Sequence, residues 1–91
     1  MEVEELLETR GDTYGQYIVV SRISQDIKKI MKSSPNYETM PNYMRESLDM
    51  IANKLARILN GDPHYLDSWS DIAGYVTLVK MEIEDHEPDN H

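Results

Sequence analysis

The chain has 91 residues and a mass of 10.6 kDa, with 40% apolar and 29% charged side chains, which describes one globular domain and excludes a disordered chain. A formal charge of −8 and a pI near 4.7 exclude broad binding of duplex nucleic acid or anionic membrane. The absence of cysteine excludes disulfides, thiolate metal sites and a thiol nucleophile.

A domain this small buries only about two-thirds of its unfolded surface, so its core is thin and a homo-oligomer is expected. A small anion such as a nucleotide stays open as a partner, through a local basic site or a bridging Mg²⁺. The longest aliphatic run, Ile18-Val19-Val20, is far short of a membrane span. The N-terminus, Met1-Glu2-Val3-Glu4-Glu5, is acidic where a signal peptide would be basic. A soluble, cytoplasmic protein is expected.

Four helical segments and no strand emerge in chain order. Glu2 to Glu8 reads as a short helix, with Val3, Leu6 and Leu7 apolar and its acidic residues at the end the helix dipole favours. Arg10 to Gly15 reads as a turn with two glycines and an Asp. A second helix is expected from about Gln16 to Lys32, burying Val20, Ile23, Ile27, Ile30 and Met31. Ser33 to Met40 is a loop. Pro41 suits the first turn of a third helix. That helix carries the stripe Met44, Leu48, Ile51, Ala52, Leu55, Ile58, Leu59 and stops at Asn60-Gly61. After the tight loop Asp62 to Tyr65, a fourth helix starts near Asp67 or Ser68. There Ser68 and Asp71 imitate a capping box, and Trp69, Ile72, Val76, Val79 and Ile83 form the core stripe. The pattern predicts an all-α fold: a compact bundle of three main helices plus a short N-terminal one, over residues 1–84. Its third and fourth helices run antiparallel, and 85–91 form a flexible acidic tail.

Three places could carry chemistry. On the third helix Asp49, Asn53 and Arg57 lie four residues apart in one stripe, with Lys54 beside Arg57. This is either a solvated charge ladder or a donor cluster for phosphate, which the planar Arg fork and the Lys point charge both suit. On the fourth helix Asp67 and Asp71 are one turn apart. They either support the helix start or share a hard cation such as Mg²⁺ with phosphate oxygens. Gly74, in the middle of that helix, suggests a close approach by backbone or ligand. In the Arg10–Gly15 segment the glycines could present N–H groups to an anion. Tyr14 and Tyr17 could stack on a base there. Six of the seven aromatic residues are tyrosine, which suits interfaces and pocket rims. His64, His86 and His91 lack helical ligand spacing, so no zinc site is expected. There is no phosphate-binding glycine loop.

The turn Asp12-Thr13-Tyr14-Gly15, the helix Leu48 to Leu59 with Asn60-Gly61-Asp62-Pro63, and the stretch Asp67-Ser68-Trp69-Ser70-Asp71-Ile72-Ala73-Gly74-Tyr75 resemble a family of small phage and prophage proteins. The resemblance spans most of the chain outside the tail and the Ser33–Met40 loop. Lys54, Arg57, Asp71 and Ile72 are also similar to a Lys-x-x-Arg helix followed by an Asp-Ile/Leu helix. That pattern occurs in phage nucleotide-modification-associated domains and in the small nucleotide kinase of T-odd phages; the kinase likeness covers the last two helices. Glu4-Glu5-Leu6-Leu7-Glu8 and Glu46-Ser47-Leu48-Asp49 fit the letters of MazG-type nucleotide pyrophosphohydrolases. The 37 residues between them depart from that family's shorter gap, so its four-carboxylate magnesium cage is not implied here.

Together these features predict a phage-type helical protein, in the host cytoplasm, that binds a nucleotide or nucleotide-like phosphate ligand at a subunit interface. Lys54 and Arg57 would hold phosphate, Asp67 and Asp71 Mg²⁺ or a sugar hydroxyl, and Asn53 and Tyr14 the base, with Tyr75 beside Asp71 as a further ligand contact. Three versions stay open: an enzyme of nucleotide metabolism, a non-catalytic sponge for a nucleotide signal of host anti-phage defence, and an acidic protein-interaction module.

Overall fold

The computed structural model describes residues 3–86, apart from the side chains of Leu7 and Glu8. It is an all-α bundle of three main helices and a shorter N-terminal one: α1 (Val3–Tyr14), α2 (Tyr17–Lys32), α3 (Asn42–Asn60) and α4 (Leu66–His86), with one 3₁₀ turn, Tyr37–Thr39, before α3. No strand occurs among the described residues, and no described helix is long and apolar enough to cross a membrane. Helix α3 is the middle element, packed against α2 on one side and α4 on another. The molecule measures 50 × 25 × 21 Å.

Small side chains make that central packing close. Ala52 and Ala56, one turn apart on α3, are almost wholly buried, with Ile58 and Val20 beside them; alanines let helix axes approach. Among the described residues Ser24, Ser47 and Ser68 are the buried polar ones, one from each main helix. Most of the expected apolar stripe on each main helix is buried or half-buried, including Val20, Ile23, Ile27, Leu48, Ala52, Leu55, Ile72 and Val79, but some of its members are left in solvent. Ile30 and Leu59 are each 69% exposed, and Trp69 and Val76 are about half exposed. Helix α2 faces α3 with Val20 and Ser24, which turns Ile30, about 80° from Val20 at 100° per residue, toward solvent. On α4 the buried position is Ser68. It lies inside the first turn and does not cap the helix.

Helix α1 is longer than expected. It passes through Arg10-Gly11-Asp12-Thr13 and ends only at Tyr14, with the Thr9 and Thr13 hydroxyls donating to the carbonyls of Glu5 and Thr9 one turn back. Gly15 closes the last turn by donating its N–H to the Gly11 carbonyl (2.8 Å). It adopts φ +84°, a conformation open to glycine at little cost. Helix α4 extends through Asp85 and His86, the first two residues of the expected tail; residues 87–91 lie outside the described residues, as do Met1 and Glu2.

The α1–α2 turn and the α3–α4 turn interlock. A Cβ on Gly61 would collide with the Thr13 carbonyl and the Tyr14 backbone, and a Cβ on Gly15 would collide with Asn60. The Asp62 N–H donates to the Thr13 carbonyl at 2.7 Å, and the Trp69 indole N–H donates to the Pro63 carbonyl at 2.8 Å. Two segments nearly fifty positions apart, Asp12-Thr13-Tyr14-Gly15 and Asn60-Gly61-Asp62-Pro63, therefore form one joint.

Candidate functional site

Beside this joint lies a concavity of about 350 Å³ between α1, the start of α2, and α3. Arg10, Gly11, Tyr14 and Gly15 line it from the first segment, Gln16, Tyr17 and Val20 from the second, and Asn53 and Arg57 from α3. Two guanidinium groups approach the Tyr14 ring. The Arg57 Cζ is 4.6 Å and the Arg10 Cζ 5.0 Å from its centroid. Both distances are within the range of cation–π attraction. Among the described residues neither guanidinium has a carboxylate within salt-bridge distance. Tyr17 stands at the rim, 83% exposed.

Tyr14 is fixed from the other side. The Tyr65 ring meets it edge to face, centroids 5.6 Å apart and planes at 83°, a favoured aromatic geometry. The Tyr65 hydroxyl donates to Asp67 Oδ2 at 3.1 Å. That hydrogen bond to a carboxylate, with Tyr14 adding to it, pushes the Tyr65 hydroxyl up to about 12, because ionising it would set a phenolate against an anion. Tyr37 is likewise raised, by burial and then by its hydrogen bond to Asp49 (3.0 Å).

The residues nominated from sequence fall into two groups. Asn53, Arg57 and Tyr14 come together in the cationic concavity. Lys54 turns toward α4, where its Nζ pairs with Asp71 Oδ2 at 3.2 Å, with the lysine side chain 13% and the aspartate 49% exposed. Asp71 and Tyr75 line a separate open groove on α4, with Ser70, Gly74, Thr77 and Leu78. Lys54 and Arg57, about 60° apart around the helix, thus serve different neighbours. Asp67 joins the first group only through Tyr65 and Tyr14. Asp71 stands with the second. Among the described residues no cluster of three or more His, Asp or Glu side chains gathers to hold a metal. The expected close approach at Gly74 is absent within the single chain: a Cβ there meets nothing within 4 Å.

Sequence reasoning missed Arg10, Gln16 and Tyr65. The signal for Arg10 was present. Once α1 is continued through Gly11, Arg10 and Tyr14 are one turn apart on one face. Tyr65 carried no such signal, since its partner Tyr14 is far away in the chain.

No protein-family model matches this sequence, and no curated protein or solved structure matches it.

Proposed function

We propose that the protein binds a small phosphate-bearing, nucleotide-like ligand in the concavity between α1, α2 and α3. One observation carries this reading. In a chain of net charge −8, two guanidiniums stack on one tyrosine and leave their N–H forks without a carboxylate partner among the described residues. Such forks suit phosphate oxygens. The volume of about 350 Å³ suits a small ligand. The Asn53 amide provides a donor and an acceptor for a base or sugar, and the exposed Tyr17 ring offers a stacking face.

The lining consists of cations, amides, phenols, backbone and the Val20 side chain, with no carboxylate or imidazole among the described residues. It favours holding the ligand over turning it over, which supports the sponge version: sequestration of a nucleotide signal. In this reading Mg²⁺ arrives with the phosphates; Asp67 and Asp71, expected from the sequence as its carboxylates, do not line the concavity, since Asp67 accepts from Tyr65 and Asp71 pairs with Lys54. The thin core of a domain this small keeps a homo-oligomer expected, and the resemblance to small phage proteins points to the host cytoplasm as its setting.

The test is a thermal-shift screen of mono-, di-, tri- and cyclic nucleotides with and without Mg²⁺, each mixture then analysed for product. A ligand at a hundred times its Kd stabilises by about 2.7 kcal/mol, a shift of several degrees. A stabilising, unconsumed ligand whose effect vanishes in Arg57→Ala supports sequestration. Product formation moves the reading to an enzyme. No shift with any member overturns nucleotide binding and leaves the acidic interaction module.

A further inference from the structure

We infer that the ligand of this concavity carries a terminal phosphate, gripped jointly by Arg10 and Arg57, and is not a cyclic or internucleotide phosphodiester. This inference rests on the ligand reading above and narrows it to one class of phosphate.

The first argument is charge. The guanidinium carbons stand 5.0 and 4.6 Å from the Tyr14 centroid, so at most about 9.6 Å separates them. That distance is close to the screening length of about 8 Å at physiological salt, so each cation feels the other. Among the described residues no carboxylate pairs with either. The chain has 17 acidic residues, and none of those described lines the concavity. A phosphodiester brings one negative charge to this pair. A terminal phosphate brings about 1.5 to 2 at pH 7, which matches both guanidiniums.

The count of acceptors is the second. Contact with an aromatic ring uses the face of a guanidinium and leaves its edge N–H groups free to donate. Each fork is made to engage two oxygens at once. A phosphodiester has only two non-bridging oxygens for both forks, whereas a terminal phosphate has three.

Space is the third. A dinucleotide could bring one diester to each guanidinium, but it has two bases and two sugars to place as well. The concavity of about 350 Å³ is at the small end of ligand sites.

A terminal phosphate gives the site a pH dependence that comes from the ligand. The ionisable groups of the lining are Arg10, Tyr14, Tyr17 and Arg57, and neither residue type ordinarily titrates near neutrality. Behind Tyr14 stand Tyr65 and the Asp67 carboxylate that it meets. Asp12 on α1, Asp49 on α3, and Asp62 and His64 in the α3–α4 connection lie outside the lining. The second proton of a terminal phosphate leaves near pH 6.

Titration calorimetry of the native chain with the common nucleoside 5′-monophosphates, their 3′,5′-cyclic counterparts and a cyclic dinucleotide tests this. At pH 7.5 the best 5′-monophosphate is expected to bind at least about tenfold more tightly than its cyclic counterpart. At pH 5.5, where about a quarter of it is dianionic, its affinity should fall about fourfold, while that of the cyclic form stays level. His64→Gln should leave this profile as it is. Arg10→Gln, at an exposed position, should bring the two affinities together. The inference is overturned by a cyclic nucleotide or cyclic dinucleotide that binds as tightly as the monophosphate, by a flat profile, or by a profile that His64→Gln abolishes. Each of these leaves nucleotide binding standing. Absence of binding by every member overturns the nucleotide reading, and this inference with it.

Discussion

Gly61→Ala tests the joint that fixes the Arg57–Tyr14 concavity. Gly61 follows α3 with its backbone against Thr13 and Tyr14, where an added methyl has no room. Its φ of −104° is ordinary, so the requirement for glycine is one of space. The obstructing atoms are backbone, so relief means moving the α3–α4 connection away from α1. That movement forfeits the Asp62 N–H to Thr13 carbonyl bond, a loss of about 0.5–1.5 kcal/mol. Forced displacement of well-packed groups costs about 1–3 kcal/mol more. The total, about 1.5–4.5 kcal/mol, is a large share of the roughly 5–14 kcal/mol available to a chain of this length, and it lowers Tm by about 6–36 °C. Gly11→Ala is the control. Gly11 lies inside α1 with nothing near its Cβ position, so alanine should stabilise by about 0.5–1 kcal/mol. Denaturant midpoints followed by far-UV circular dichroism, at one fixed protein concentration, compare the two. If Gly61→Ala falls within about 0.5 kcal/mol of the native protein, the interlocked turns do not hold the structure and the argument fails.

Three further outcomes are expected. Arg57→Ala should weaken binding of the phosphate ligand by about 1.5–3 kcal/mol, roughly 10- to 150-fold in Kd. Arg57→Lys should fall between the two, because lysine keeps the charge and loses the planar fork; titration calorimetry measures both, and equal affinities for all three proteins would remove Arg57 from the site. Asp71→Asn should cost about 1–2 kcal/mol of stability, more than Lys54→Met, because it strands the largely buried ammonium whereas the opposite change leaves a carboxylate open to water; equal costs by denaturation would contradict this. Tyr65, raised from 10.0 to about 12 in the folded chain, keeps its stabilising contribution below pH 10 and loses it as pH rises through about 12. Spectrophotometric titration should show fewer phenolates in the first alkaline wave than in the unfolded chain, and Tyr65→Phe should remove the most delayed of them while leaving the raised Tyr37.

Periodicity determined much of this protein before any coordinates. Apolar residues at three- and four-residue spacing, a Pro at one end of α3 and a Gly at the other, and the absence of any alternating run make an all-α bundle readable, because helix formation is decided largely within a few turns. Local reading failed where tertiary contacts set the outcome. The glycine pair near Tyr14 resembles a turn, yet α1 continues through Gly11 because only Gly15 must take a left-handed φ and dock on Asn60. The stripes on α2 and α4 were placed by spacing, but which edge of each stripe is covered depends on the helix packed against it. The candidate site divides in the same way. Asn53, Arg57 and Lys54 were visible as polar residues on one helix. That Arg57 meets Tyr14 while Lys54 meets Asp71 follows only from which helices flank α3, since 60° of rotation around its axis is enough to separate two neighbours.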